Sequence, residues 1–178
     1  MPNGYNKKIL RVDLDRESIN VEEPHETLYS RYLGGGTLAL HYLLKELKPK
    51  SDPLGPENIL VFAGSVISGT PAAGLSRFSV AAKSPLTNAF GEAEAGGWWI
   101  PELKFAGYDA IVIKGKAARP VYLWIHDGEA EVRDARHLWG KLTKETQEEI
   151  RKELGDDRVR IASIGPSGEK LVKVACIL

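Results

Sequence analysis

The sequence has very little cysteine: Cys176 is the only one among 178 residues. A single cysteine cannot form an internal disulfide, and it cannot supply the several thiolates of a cysteine-ligated metal or iron–sulfur site. An excess of one charge is missing as well, because 24 Lys and Arg balance 24 Asp and Glu. Zero net charge argues against nucleic-acid binding, which normally goes with a basic excess.

Long hydrophobic runs are also absent. No stretch of about 18 apolar residues is present, so we expect no membrane span. Residues 1–8 lack the apolar core of a secretory signal, and together with the single cysteine this predicts a cytoplasmic protein. At 43% hydrophobic and 27% charged, the composition is that of an ordinary globular domain.

The hydrophobic patterns predict an α+β fold with mixed β-sheets and packed helices. Alternating residues over 7–14 and 18–22 indicate a hairpin, and Asp127-Gly128 predicts a second one between strands at 120–126 and 129–134. Helical spacing and short apolar runs supply the remaining elements. Helices are predicted over 25–32, 36–47, 98–105 and 143–154, and further strands over 59–63, 77–82, 109–114, 158–164 and 171–178.

The last residues, 172–178, form a strand-like apolar run with no polar tail. An unfinished apolar strand is an aggregation-prone edge. We therefore expect this chain to be a piece of a longer polypeptide. The alternative is a small protein whose last strand docks centrally.

Two features that resemble functional motifs have plainer explanations. Gly34-Gly35-Gly36 opens a predicted helix and has N–H groups to offer an anion, but the spacing is not that of a dinucleotide fingerprint, so we favour a tight turn. The histidines show no pair at the spacing of metal ligands. They are His25, His41, His126 and His137.

The segment 64–107 is rich in glycine, alanine and serine. Small residues let the backbone approach a flat ligand closely, and the Arg77 fork suits an anionic group. Glu92 and Glu94 point the same way if the chain there is extended. The residues alone leave two interpretations open: a surface against a rigid ligand or another domain, and tight packing between strands.

Motifs throughout the chain resemble the N-terminal domain of the tungsten-containing aldehyde:ferredoxin oxidoreductases, in the same order and over essentially all 178 residues. The resemblance implies that residues 1–178 are this domain, truncated at its C-terminal end. It is strongest in Thr70-Pro71-Ala72-Ala73-Gly74-Leu75-Ser76-Arg77-Phe78, Lys83-Ser84-Pro85-Leu86-Thr87, Ala95-Gly96-Gly97 and the segment 102–111.

The resemblance also implies cofactors and site residues. The family binds a tungsten-bis-pterin (tungstopterin), a magnesium ion that bridges the pterin phosphates, and a [4Fe–4S] cluster whose ligands would lie outside this chain. Arg77 matches an arginine that contacts pterin phosphate, and Glu94, Ala95 and Gly96 match a loop that touches pterin. The Glu94 carbonyl would help to hold the magnesium. The best-known members carry Asn-Ser-Gly where this chain has Glu94-Ala95-Gly96, and Cys176 matches no cluster ligand, so we expect it to be buried.

The function implied is that of an oxidoreductase. The parent enzyme would oxidise an aldehyde to a carboxylic acid and pass electrons to ferredoxin, with its remaining domains C-terminal to this one on the same polypeptide. Two alternatives are a related tungsten enzyme, such as the metal subunit of a class II benzoyl-CoA reductase, and a non-catalytic split-domain binding module. No catalytic residue is assigned within residues 1–178.

A domain that is covered by cofactor and further domains should expose apolar side chains when it stands alone. We expect this exposure near the small-residue segment and at the end of the chain, and we expect homo-oligomers as a result. The residues concerned are Phe90, Trp98, Trp99, Ile177 and Leu178.

Overall fold

The computed structural model describes residues 4–178. Residues 1–3, which belong to the N-terminal segment 1–8 that lacks a secretory signal's apolar core, lie outside the described residues. The strands are β1 (Ile9–Asp13), β2 (Ser18–Glu22), β3 (Ile59–Gly64), β4 (Phe78–Lys83), β5 (Phe90–Ala95), β6 (Ala110–Lys114), β7 (Val121–His126) and β8 (Glu129–Asp134). The helices are α1 (Glu26–Tyr32), α2 (Gly35–Glu46), α3 (Trp99–Phe105), α4 (Thr143–Leu154) and α5 (Pro166–Glu169).

The strands form one large mixed sheet and one separate hairpin. The large sheet has the order β2-β1-β6-β3-β4-β5, and the hairpin pairs β7 with β8. Within the large sheet β1 and β6 run parallel, whereas the other neighbouring strands are antiparallel. The α+β prediction, with mixed β-sheets and packed helices, is confirmed.

Both faces of the large sheet are covered. Alternate residues such as Val61 and Val112 pack with Leu38 and Tyr42 of α2 on one face. The opposite face packs against α3, and against the hairpin through partly buried residues. Coverage on both sides explains why β3 is a continuous apolar run and does not alternate with polar residues. Helix α4 lies on the outer side of the hairpin, where Ile150 packs against Tyr122.

Backbone groups at both ends of α4 follow the usual helix-capping rules. The residue that precedes the helix is Leu142, whose backbone N–H donates to the Glu145 carboxylate at 2.9 Å. Thr143 is the first helical residue. Gly155 ends the helix in the left-handed region at φ 68°, where glycine is favoured.

The predicted strands at 158–164 and 171–178 are wrong. These segments meet only through the bridge between Ile164 and Ile177 and two backbone hydrogen bonds between Ser163 and Leu178. Between them the chain turns through the short α5, which begins at Pro166, a residue without an N–H for a ladder. Apolar alternation alone therefore did not produce a sheet here.

A buried ion pair fastens the start of the described chain to α3. Lys104 Nζ lies 2.7 Å from Asp109 Oδ1, and the two side chains are only 1% and 4% exposed. Lys104 also donates to the Gly4 carbonyl at 2.7 Å. The Asp109 carboxylate accepts from the backbone N–H groups of Asn6 and Lys7 at 3.0 and 2.8 Å. Both charges are thus paired and hydrogen-bonded, which burial requires.

Tyr29 of α1 packs beside this ion pair. Its ring contacts that of Tyr5, with centroids 4.4 Å apart. Burial, and then the nearby Asp109 charge, raises the pKa of the Tyr29 hydroxyl above its ordinary value.

The turn between α1 and α2 depends on Gly34. Its φ of 101° favours glycine, and a Cβ built there would lie 2.2 Å from the Gly64 carbonyl oxygen. Gly34 also forms a bridge with Ser65, just beyond β3. This contact fixes the start of α2 over the sheet, and it agrees with the predicted tight turn.

Candidate functional site

The β4–β5 ladder brings the predicted site residues together. Phe78 pairs with Ala95 and Ser79 pairs with Glu94, so Arg77, just before β4, lies opposite the end of β5. A Cβ on Gly96 would lie 3.8 Å from the Ser76 carbonyl oxygen. Residues far apart in sequence therefore meet at one end of this pair of strands. These are the residues that the resemblance assigns to cofactor binding, Arg77 and residues 94–96, and their role in binding stays a prediction.

Strand alternation places three charged side chains on the side of the sheet that faces α2. Ala81 belongs to the core cluster under α2, and Ser79 on β4 and Arg77 just before it have the same parity along the chain. On β5, Glu92 pairs with Ala81 and Glu94 pairs with Ser79. The result is a small charged surface of Arg77, Glu92 and Glu94 beside the first turn of α2, which we call the β5 charged surface.

Arg77 and Glu94 are paired only loosely. Arg77 Nη1 lies 3.5 Å from Glu94 Oε2, beyond a well-formed charge-assisted hydrogen bond. The two side chains are 69% and 56% exposed. Water screens such a pair strongly, so the guanidinium remains accessible to another anion.

Glu92 lies against the start of α2. A Cβ built on Gly36 would overlap the Glu92 carboxylate, so glycine is what allows this carboxylate to sit close to the helix. A negative charge near the first turn of a helix is favourable, because the helix dipole is positive there. Sequence reasoning missed this contact, although the i, i+2 spacing of Glu92 and Glu94 indicated a common side.

A cleft of about 600 Å³ lies near the beginning of α3. It is lined by the loop 69–76 together with Gly97, Trp98, Pro101 and Phe105. Trp98 is 65% exposed, and Phe105 is similarly open. At Gly74 and Gly97 no atom lies within 4 Å of the place a Cβ would occupy. The small residues thus leave open space beside exposed aromatic rings.

The expected exposure of apolar side chains is only partly correct. Phe90, Trp98 and Leu178 are exposed. Trp99 is not, because its ring packs on Phe62 and Phe78 with centroids 5.3 and 5.0 Å away. Ile177 is likewise half-buried against the sheet.

Strand β5 was not predicted as a strand. Its sequence, Phe90-Gly91-Glu92-Ala93-Glu94-Ala95, is poor in β-branched residues, and it lies at the edge of the sheet. Acidic side chains on an edge strand discourage pairing with another chain. Part of the small-residue segment 64–107 is therefore a β-strand, β5. Its pairing with β4 determines the direction of the Glu94 side chain.

Within residues 4–178, no group of three or more His, Cys, Asp or Glu side chains is arranged to hold a metal ion. Cys176 is exposed, which contradicts the expectation that it is buried. No helix in this part of the chain is long and apolar enough to cross a membrane.

Comparison with known proteins identifies the family. The family model described as "Aldehyde ferredoxin oxidoreductase, N-terminal domain" matches residues 9–178. The chain belongs to this family. The motifs around Arg77 and Gly96 therefore stand within a match that covers nearly the whole chain.

Relatives in the family are similar over nearly all of this chain. A tungsten-containing aldehyde ferredoxin oxidoreductase of Pyrococcus furiosus is 51% identical over 96% of the chain, and one of Thermococcus kodakarensis is 48% identical over 96%. The "Aliphatic sulfonate oxidoreductase, WOR-like subunit" of Pyrococcus furiosus is 38% identical over 98%. The chain spans 28% of the length of the first two relatives.

A solved structure shares the fold. It is a chain of the active site complex BamBC of benzoyl coenzyme A reductase in complex with 1,5-dienoyl-CoA. The TM-score is 0.96 and the sequence identity 40%, over 99% of this chain and 27% of that chain. The domain architecture is therefore common to members whose names give different substrates.

Proposed function

We propose that residues 1–178 are the N-terminal cofactor-binding domain of a tungsten-bis-pterin oxidoreductase. The parent enzyme oxidises aldehydes to carboxylic acids and delivers the electrons to ferredoxin. The observation that carries this proposal is the meeting of Arg77 with residues 94–96 at an exposed surface, in a chain 51% identical to a tungsten-containing aldehyde ferredoxin oxidoreductase.

The residues present suit a flat ligand that bears phosphate. The Arg77 guanidinium is exposed, and its planar fork matches phosphate oxygens. Ala95 and Gly96 are small and exposed, so no bulky side chain covers the end of β5. The Glu94 carbonyl would act as a magnesium ligand whatever its side chain. The Glu94 carboxylate suits a phosphate poorly, since like charges repel.

These groups indicate which part of the reaction the cofactor would carry out and which part this chain would carry out. When bound, the tungsten-bis-pterin supplies the two-electron redox chemistry. This chain would bind and orient the cofactor through Arg77, Glu94, Ala95 and Gly96, and it would contribute no catalytic residue. The cluster ligands and the ferredoxin contact would belong to the C-terminal domains of the same polypeptide.

A second candidate is the metal subunit of a class II benzoyl-CoA reductase. The structural match at TM-score 0.96 favours it, but the sequence identity there is 40%, below the 51% and 48% of the aldehyde enzymes. A surface that binds the pterin cofactor is compatible with aldehyde oxidation and with benzoyl-CoA reduction. Residues outside the β5 charged surface would therefore determine the substrate.

The proposal is tested on the product of the complete reading frame that contains these residues. We expect metal analysis to find tungsten and pterin in it, and an aldehyde to reduce a viologen dye in its presence. Turnover of a benzoyl-CoA-type substrate without aldehyde oxidation would select the second candidate. A product without pterin or tungsten would select the non-catalytic module and contradict the proposal.

The 178-residue chain by itself is expected to show no aldehyde-dependent dye reduction. One cysteine cannot hold a cluster that needs four protein ligands, so electrons have no route to an acceptor. The measurement is the viologen assay on the purified chain after incubation with cofactor extracted from a tungstopterin enzyme. Activity above that of the extracted cofactor alone would contradict this expectation.

The 178-residue chain is also expected to self-associate through the cleft at α3. Burying an aromatic side chain is worth roughly 1.5–3 kcal/mol, so exposed Trp98 and Phe105 favour contact between copies. Sedimentation velocity should show dimers or larger species that the double substitution Trp98→Ser and Phe105→Ser shifts toward monomer. Leu44→Ser, at an exposed apolar residue of α2, is the control and should leave association unchanged.

A further inference from the structure

Both acidic residues of the β5 charged surface lie beside a group that attracts anions. The Glu94 carboxylate faces the Arg77 guanidinium, 3.5 Å away. The Glu92 carboxylate lies against Gly36 in the first turn of α2, where the helix dipole is positive. The protein thus supplies its own carboxylates where a phosphate would otherwise be attracted.

We propose that Glu94 is a built-in competitor for Arg77 and that a phosphate-bearing ligand displaces its carboxylate in order to bind. This inference rests on the proposed function, in which Arg77 receives a cofactor phosphate. Residue 94 then sets the affinity of the surface for its ligand through the charge of its side chain, in addition to any contact of its backbone.

The geometry makes displacement possible. Glu94 is more than half exposed and has no close hydrogen bond to Arg77, so its carboxylate leaves without opening a buried site. Arg77 has one planar fork, and a carboxylate and a phosphate oppose each other when both approach it. The β4–β5 ladder meanwhile holds the residue 94 backbone opposite Ser79. The side chain therefore returns to Arg77 when the ligand leaves.

Titration with inorganic pyrophosphate tests the inference on the 178-residue chain. Two-dimensional NMR would follow the Arg77 side-chain N–H and the Gly96 amide. Glu94→Gln removes the charge and keeps the shape, and we expect it to tighten binding roughly two- to fivefold, the range set by an exposed ion pair. Glu94→Asn should act in the same direction.

Glu92→Gln is the matched control. It removes the same charge two residues along β5 from Glu94, but the Glu92 side chain is directed at α2 and not at Arg77. It should tighten binding less than Glu94→Gln. Arg77→Gln should abolish the response at Gly96, and adding Glu94→Gln to it should restore nothing. Such a pattern assigns the effect to the Arg77–Glu94 pair and not to overall charge.

The outcomes separate this inference from the proposed function. Equal affinities for the unchanged chain and Glu94→Gln, with Arg77 responding in both, would overturn the competition and leave the phosphate site standing. Weaker binding by Glu94→Gln would also overturn it, because the carboxylate would then assist the ligand. If Arg77 responds in no variant, the competition and the proposed phosphate contact both fail.

Discussion

Replacing Asp109 with asparagine is expected to lower the free energy of unfolding by about 3–5 kcal/mol, because the change leaves a buried ammonium group without its counter-charge. Lys104 and Asp109 are almost fully enclosed and 2.7 Å apart. The carboxylate also accepts hydrogen bonds from the backbone of Asn6 and Lys7, so the loss should extend to the segment that precedes β1.

Urea unfolding followed by circular dichroism measures this loss, and Glu57→Gln is the control. Glu57 pairs with Lys48 at 2.8 Å, but both side chains are at least half exposed. Its removal should cost less than about 1 kcal/mol. Similar decreases in the free energy of unfolding for the two variants would show that burial does not determine how much the Lys104–Asp109 pair stabilises the fold.

Gly34→Ala is expected to cost roughly 3 kcal/mol, from two sources. The backbone there has φ 101° and ψ −167°, a conformation open essentially to glycine. The added Cβ would also lie 2.2 Å from the Gly64 carbonyl oxygen, a backbone atom held by the sheet. The start of α2 must therefore move away from β3, and the β5 charged surface should be disturbed with it.

The control for Gly34→Ala is Gly155→Ala at the end of α4. Gly155 also has a positive φ, 68°, but no atom lies within 4 Å of its added Cβ. Only the left-handed backbone penalty remains, about 1–2 kcal/mol. Thermal or urea unfolding of both variants separates clash from backbone preference, and a Gly34→Ala loss no larger than that of Gly155→Ala would contradict the clash.

Local sequence features predicted the elements whose stability is local. The hairpin between β7 and β8 follows from Asp127-Gly128, and α4 follows from helical spacing over 143–154 with Gly155 at its end. Strand β5 could not be predicted in this way. Its Gly, Ala and Glu residues have little preference for strand, and it is one because β4 offers a free edge.

By itself the sequence determined the α+β class, the tight turn at Gly34, and the resemblance from which Arg77 and residues 94–96 were chosen. These depend on residue type and short spacing. Only the tertiary structure decided that Glu94 lies against Arg77, that Glu92 lies against α2, and that Lys104 meets Asp109 in the interior. Such pairings depend on strand register and on burial, because a shift of one residue along β5 would turn both carboxylates to the opposite face.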